Sequence, residues 1–303
     1  MGGGGGCWLG GPKTASSGKW AQSVTDAPRS YGTAELVRDK GIEGNAGATA
    51  GSGTSIFDPV LCELAYRWFC PPGGIVLDPF AGGSVRGIVA AKLGREYIGC
   101  ELRPEQVEAN REQAERICSD GVMPVWHVGD SAKTIPTLQC AADMVFSCPP
   151  YGDLEVYSDR AEDLSGMDHK AFIAAYRAIV AAAIVKLRPD RFACFVVGDF
   201  RDKRGFYRNF VSDTIAAFED AGAKLYNEAV LVTVVGSLPI RVGKQFEATR
   251  KLGKTHQNVL VFCKGDPKRA THAVGRCEFG DLDAVAEPEG GDTGGDASLG
   301  VAA

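Results

Sequence analysis

Ile75-Val76-Leu77-Asp78-Pro79-Phe80-Ala81-Gly82-Gly83-Ser84 opens on three aliphatic residues, stops at an acid and a proline, and turns on two glycines. A short apolar run bounded in this way reads as a buried strand ending in a tight turn. Val85, Ile88, Val89 and Leu93 then recur at helical spacing, and Gly94 caps the stripe. This unit of strand, glycine turn and helix repeats along the chain. Tyr97 to Glu101 is a second strand, and Pro104 begins a helix that runs to about Cys118. Val125–Val128 and Asp143–Phe146 are strands three and four. A long helix from about His169 to Leu187 buries Phe172, Tyr176, Ile179, Val180, Ala183 and Ile184. Ala193–Val197 is strand five and Val211–Ala221 a helix, and 229–235 and 259–263 read as two closing strands. Upstream, Val60, Leu64, Ala65 and Trp68 share one helical face before Pro71-Pro72-Gly73-Gly74 breaks the chain. Alternating strands and helices make an α/β fold, a doubly wound and mostly parallel sheet covered on both faces.

Three parts follow from composition. Residues 1–53 hold 14 of the 39 glycines and no sustained apolar period, so they read as a mostly disordered extension. Residues 267–303 read as an acidic, Gly-rich tail. From Cys277 onward there are seven carboxylates and no Lys or Arg, so the formal charge of −5 belongs to the tail. The folded domain is therefore expected over 54–266. No apolar run is long enough to span a bilayer, which excludes a membrane protein. The ten cysteines include no Cys-x-x-Cys pair and the four histidines are scattered, so neither a metal site nor a disulfide framework is expected. Reduced thiols and the lack of a signal peptide point to the cytoplasm.

In a doubly wound sheet the ligand site lies at the carboxyl ends of the strands, beside the point where strand order reverses. The Gly82-Gly83 turn lets backbone approach a ligand where a helix begins. It matches neither the nucleotide-triphosphate loop nor the Gly-x-Gly-x-x-Gly fingerprint. Glu101, at the tip of the second strand, is placed to accept both hydroxyls of a ribose. Asp130, after the third strand, is a third acid at the same edge and is placed to accept from an adenine amino group. Together these features suit an adenosine-bearing cofactor.

The fourth strand continues into Phe146-Ser147-Cys148-Pro149-Pro150-Tyr151-Gly152. Asp78 to Gly83, Glu101, Asp130 and the Pro149-Pro150-Tyr151 turn resemble the S-adenosylmethionine-dependent DNA methyltransferases that modify N6 of adenine or N4 of cytosine. The resemblance covers about 54–265 and is strongest over 75–152. Thr54 to Pro59 and Gly253 to Val259 are similar to phage-borne DNA methylases. The resemblance implies a Rossmann-like, seven-stranded class I methyltransferase sheet and S-adenosyl-L-methionine as cofactor. It also implies that Asp78, Phe80, Ala81, Gly82 and Gly83 hold the methionine portion, Glu101 the ribose, and Asp130 with Ser131 the adenine. Phe57, in segment 55–59, would close over the methionine end. Cys148, Pro149, Pro150 and Tyr151 would receive a flipped-out base, with the aromatic stacking on it.

An exocyclic amine is a poor nucleophile because its lone pair is delocalised into the ring, so the site must bind both amine protons as the nitrogen attacks the methyl group in line. Two prolines remove two N–H donors and leave carbonyls directed at the substrate. No metal is required. The sequence departs from the family where Cys148, a weak acceptor, precedes the prolines in place of Asp, Asn or Ser. Three readings stay open: a DNA amino-methyltransferase, the same chemistry on RNA, and a silent DNA-binding module. The choice between adenine and cytosine is open too. DNA as partner is supported by two basic stretches, Arg201, Lys203, Arg204 and Arg208 with Phe206 and Tyr207, and Lys244, Arg250 and Lys254 before the last strand. None of these features sets the oligomeric state.

Overall fold

A computed structural model describes residues 57–119, 121–152, 157–232 and 238–277. The Gly-rich stretch 1–53, Thr54 to Ile56, and the tail beyond Cys277 lie outside the described residues. The elements are α1 (Pro59–Phe69), β1 (Ile75–Asp78), α2 (Val85–Lys92), β2 (Glu96–Glu101), α3 (Pro104–Ile117), β3 (Val125–Val128), α4 (Ser131–Thr137) and β4 (Ala142–Ser147). They continue with α5 (His169–Lys186), β5 (Leu187–Val197), α6 (Phe210–Asp220), β6 (Lys224–Val232), α7 (Leu238–Thr249), β7 (His256–Lys264) and α8 (Pro267–Val274).

The seven strands form one sheet in the order β3-β2-β1-β4-β5-β7-β6. Neighbours among β1 to β5 pair in parallel, whereas β7 runs antiparallel to both β5 and β6. This is the expected Rossmann-like, mostly parallel seven-stranded sheet. Helices cover both faces, so the central strands carry apolar residues on successive positions, and all six residues of β4 are buried. One core layer gathers Tyr66, Ile88, Trp126 and Phe146 beneath α1, α2, α3 and α8. The other gathers Leu77, Phe172, Phe195 and Phe262 beneath α4, α5 and α6.

Four expectations are corrected. Of the stripe Val60, Leu64, Ala65 and Trp68 in α1 only Ala65 is buried; the other three face outward, and the helix buries Cys62 and Tyr66 beside Ala65. Tyr66 decides this, since its ring packs edge-on to Phe146 and its hydroxyl donates to the Arg86 carbonyl at 3.0 Å. Helix α4 was not expected, because it is only seven residues long and contains Pro136. Its start is set by the Asp130 carboxylate, which accepts the Ala132 N–H at 2.9 Å. The stretch before the last strand, read as a basic loop, contains helix α7. Residues 267–274, assigned to the tail, form α8, which buries Ala270 and Val274 in the first core layer. Asp190 anchors this helix by accepting from Arg269 Nε at 2.7 Å and from the Asp266 N–H at 2.7 Å.

Candidate active site

Strand order reverses between β1 and β4, so the loops at the carboxyl ends of these two strands share one crevice. Asp78 ends β1 and is completely buried. One carboxylate oxygen accepts from Arg86 Nε at 2.6 Å and the Tyr97 hydroxyl at 2.7 Å. The other accepts from the Ser147 hydroxyl at 2.5 Å and the Phe80 N–H at 3.1 Å. The sequence placed Asp78 against the methionine portion of a cofactor. Its acceptor positions are instead filled by protein donors, and it acts as the internal knot of the glycine loop. Burial opposes the Arg86 charge, yet the adjacent Asp78 holds the guanidinium pKa above its ordinary value.

Arg86 carries that order into the loop. Its Nη2 donates to the carbonyls of Phe80 at 2.5 Å and Ala81 at 2.9 Å, and its guanidinium lies 4.7 Å from the centroid of the Phe57 ring. The Gly82 carbonyl accepts from Asn110 Nδ2 at 2.7 Å, and the Gly82 N–H donates to Glu101 at 2.9 Å. The loop is therefore fixed from below by α2, α3 and β2. Above it there is room, because a Cβ at Gly82 or Gly83 would meet no heavy atom within 4 Å. Gly82 has φ +50°, which favours glycine there.

The predicted cofactor residues divide into two sets. Glu101 lies beside the loop, its second oxygen accepting the Arg103 N–H at 3.0 Å, and burial pushes its carboxyl pKa up. Asp130 is brought to the same edge by a bond from the Gly129 N–H to the Glu101 carbonyl, though one of its oxygens caps α4. The Phe80 ring turns away to stack on Tyr176, and Ala81 is fully buried. Ser131 donates to the Pro79 carbonyl at 2.6 Å, tying α4 to the loop. Gly82 and Gly83 thus have open space over them, with Glu101 bonded to the Gly82 N–H and Asp130 beside it, while Asp78, Phe80, Ala81 and Ser131 are tied into the protein. Arg86, Tyr97, Asn110 and Ser147 were missed as site residues. An arginine as the second residue of a mostly apolar helix, just after the glycine turn, was the available signal.

On the neighbouring strand end, Ser147 points toward the glycine loop, as strand alternation requires if Cys148 is to face the other way. The Cys148 Sγ lies 3.6 Å from the Tyr151 hydroxyl, which accepts from Gln257 Nε2 at 2.6 Å. The Tyr151 ring is edge-on to Phe210 at 6.3 Å. Burial raises the Cys148 thiol, so it carries its proton at neutral pH, and burial likewise raises the Tyr151 phenol. The turn closes at Gly152, whose φ is +56° and where a Cβ would sit 2.7 Å from the Phe200 ring.

The two basic stretches converge in part. Arg201 and Tyr207 pair across a short hairpin, with the Arg201 guanidinium 3.9 Å from the Tyr207 ring centroid. Arg201, Arg204, Phe206, Tyr207, Arg250 and Lys251 line a cleft of about 360 Å³. Asp202 is the carboxylate of this hairpin, and it is spent on the Arg204 and Phe206 N–H groups. The other predicted cations lie elsewhere. Lys203 and Lys244 are exposed outside the cleft, and Arg208 is half-buried with its Nε enclosed. Lys254 extends over Gly198, where a Cβ would be 3.6 Å from its Nζ. Among the described residues no helix is long and apolar enough to cross a membrane.

Residues 60–112 match the N6/N4 DNA methylase family. The type II methyltransferase M.SmaI of Serratia marcescens is 36% identical over 63 residues, which are 21% of this chain and 22% of that protein. The DNA adenine methyltransferase YhdJ of Escherichia coli K12 is 51% identical over 37 residues, 12% of this chain and 13% of that protein. The matched stretches thus span about a fifth or less of these relatives. Among solved structures, magnesium protoporphyrin IX methyltransferase (ChlM) from Synechocystis PCC 6803 with bound SAH superposes with a TM-score of 0.47 at 12% identity, over 80% of this chain and 99% of that one.

Proposed function

We propose that the chain is an S-adenosylmethionine-dependent DNA methyltransferase acting on an exocyclic amine, N6 of adenine or N4 of cytosine. The observation that carries this reading is the juxtaposition at the β1/β4 crevice of a glycine loop with open space above it and a turn of two prolines and an aromatic. The family match over 60–112 supports it from the sequence side. The bound cofactor supplies an electrophilic methyl group on a sulfonium. Glu101 is the acceptor for ribose hydroxyls, Asp130 borders the adenine end, and the backbone at Gly82 and Gly83 lies along the methionine portion. Phe57, held over Arg86, covers that portion from the α1 side.

The chain's own groups then act on the base. Pro149 and Pro150 have no N–H, so the turn offers carbonyl acceptors for the amine protons and no competing donors. Binding both protons localises the nitrogen lone pair for in-line attack. Tyr151 flanks the base, and the cleft bearing Arg201, Arg204 and Arg250 takes flanking phosphates. The finer reading is a phage-type enzyme that marks a defined DNA sequence in the cytoplasm, as in restriction-modification, resting on the 253–259 stretch and on partial similarity to type II enzymes.

The test is nucleoside mass spectrometry of duplex DNA and structured RNA incubated with the purified chain and S-adenosylmethionine, beside a Glu101→Ala control. N6-methyladenine or N4-methylcytosine in DNA, absent with the control, is expected. A mark confined to RNA transfers the reading to RNA. No mark on either polymer, with cofactor binding intact, leaves a silent binding module.

A further inference from the structure

We propose that Gln257 is a positioning residue of the catalytic turn, acting through the Tyr151 hydroxyl on Cys148. The proposal rests on the methyltransferase reading of the crevice and assigns a role to a residue 106 positions from Tyr151 in sequence. Topology makes the meeting possible. Because β7 runs antiparallel to β5, its first residues arrive at the catalytic edge, where Asn258 pairs with Val197, the last residue of β5. Gln257 is therefore opposite Gly198, just past the end of β5, and a Cβ at Gly198 would lie 3.7 Å from its Cγ.

The hydrogen-bond polarity follows from chemistry. An amide nitrogen only donates, so in the 2.6 Å contact Gln257 donates and the Tyr151 oxygen accepts. The phenolic hydrogen is then directed away from the amide, and of the two senses open to the 3.6 Å contact with Cys148 the proposal takes the one in which the hydroxyl donates to the sulfur. A sulfur that accepts on this side turns its own S–H toward the crevice. Cys148 therefore presents a donor to the base, suited to the ring nitrogen beside the exocyclic amine of adenine or cytosine, and the amine protons fall to the carbonyls of the turn. The cysteine that replaces a stronger acceptor thus has a defined hydrogen-bonding sense, and Gln257 sets it.

Gln257→Glu keeps the shape and removes the donor at pH 8. Tyr151→Phe removes the relay. Each change is expected to lower kcat about tenfold, the scale of one hydrogen bond, with the KM for S-adenosylmethionine within about twofold of wild type. The double variant should be no slower than either single one, because both break the same chain. A second readout does not depend on turnover: iodoacetamide alkylation of Cys148, followed on its proteolytic peptide in the full chain. Loss of the O–H···S bond withdraws support from the thiolate, and alkylation of Gln257→Glu is expected to slow about threefold to tenfold. Unchanged kcat and unchanged alkylation in Gln257→Glu would overturn the proposal, as would additive losses in the double variant. If the wild-type chain transfers no methyl group yet Cys148 alkylation slows in Gln257→Glu, the relay stands and the methyltransferase reading fails.

Discussion

Replacing Asp78 by Asn separates a carboxylate that knots the loop from one that grips a cofactor. Asp78 is wholly enclosed and faces Arg86 and Tyr97 with one oxygen, Ser147 and the Phe80 N–H with the other. An asparagine must aim its NH₂ at one of these pairs. In either orientation it confronts a group that only donates, Arg86 Nε or the Phe80 N–H, and the buried guanidinium loses its counter-charge. Breaking a buried ion pair from one side costs about 3–5 kcal/mol, a large part of the roughly 5–15 kcal/mol that holds a domain together. At about 2–4 °C per kcal/mol for a domain of this size, the melting temperature should fall by roughly 6–20 °C. The assay is thermal unfolding by circular dichroism, paired with calorimetric titration of S-adenosylmethionine well below the transition. A melt within about 2 °C of wild type, together with lost cofactor binding, would refute the reasoning and return Asp78 to the ligand.

Glu101 predicts a pH dependence of known sign. Burial raises its pKa in the folded protein, so the unfolded chain releases this proton first, and the unliganded protein loses stability as pH rises above the ordinary value of 4.5 through the raised one. Cofactor affinity moves the opposite way, because ribose hydroxyls donate to the carboxylate; titrations between pH 5 and 8 should show tighter binding at the alkaline end, and Glu101→Gln should flatten the profile. Since burial keeps Cys148 as a thiol, DNA containing 5-fluorocytosine should form no covalent adduct, and a band stable to denaturation on a gel would contradict this. Arg204→Ala and Arg250→Ala should weaken DNA binding and reduce the slope of log K against log salt by about one each. Gly152→Ala meets the Phe200 ring and an unfavourable φ, so it should cost about 1–3 kcal/mol in a denaturant titration and lower methyl transfer more than cofactor binding.

The strand and helix order was legible because parallel strands buried on both faces read as aliphatic runs, and Ile75-Val76-Leu77 with its glycine turn is the clearest of them. The edge of the sheet that bears the site was legible for the same reason. Helix α4 was not, since a seven-residue helix with an internal proline has no apolar period to detect. The outward stripe of α1 shows a second limit, in that Tyr66 packs more surface than the aliphatic residues that set the apparent period. Within the candidate site, Glu101 and the Pro149-Pro150-Tyr151 turn lie at strand tips, where counting along the strands puts them. Asp78 lies at a strand tip too, but its partners Arg86, Tyr97 and Ser147 come from three other elements, and no spacing encodes that convergence. Gln257 was hidden for a similar reason, since an antiparallel strand brings it to Tyr151 from far along the chain.

The direction of β7 also governs how the two ends of the described chain are disposed. Phe57, ahead of α1, packs against Arg86 and Phe146 at the edge that holds the crevice. After β7 has crossed the sheet in the reverse sense, α8 and Cys277 finish at the opposite edge, where the Cys277 thiol meets the carbonyl of Arg67 at the end of α1. A dye or affinity handle joined at Cys277 therefore starts out at the opposite edge of the sheet from the crevice. The same handle joined just ahead of residue 57 starts beside the glycine loop at the crevice. Surface immobilisation through the downstream end is the orientation that leaves the crevice free.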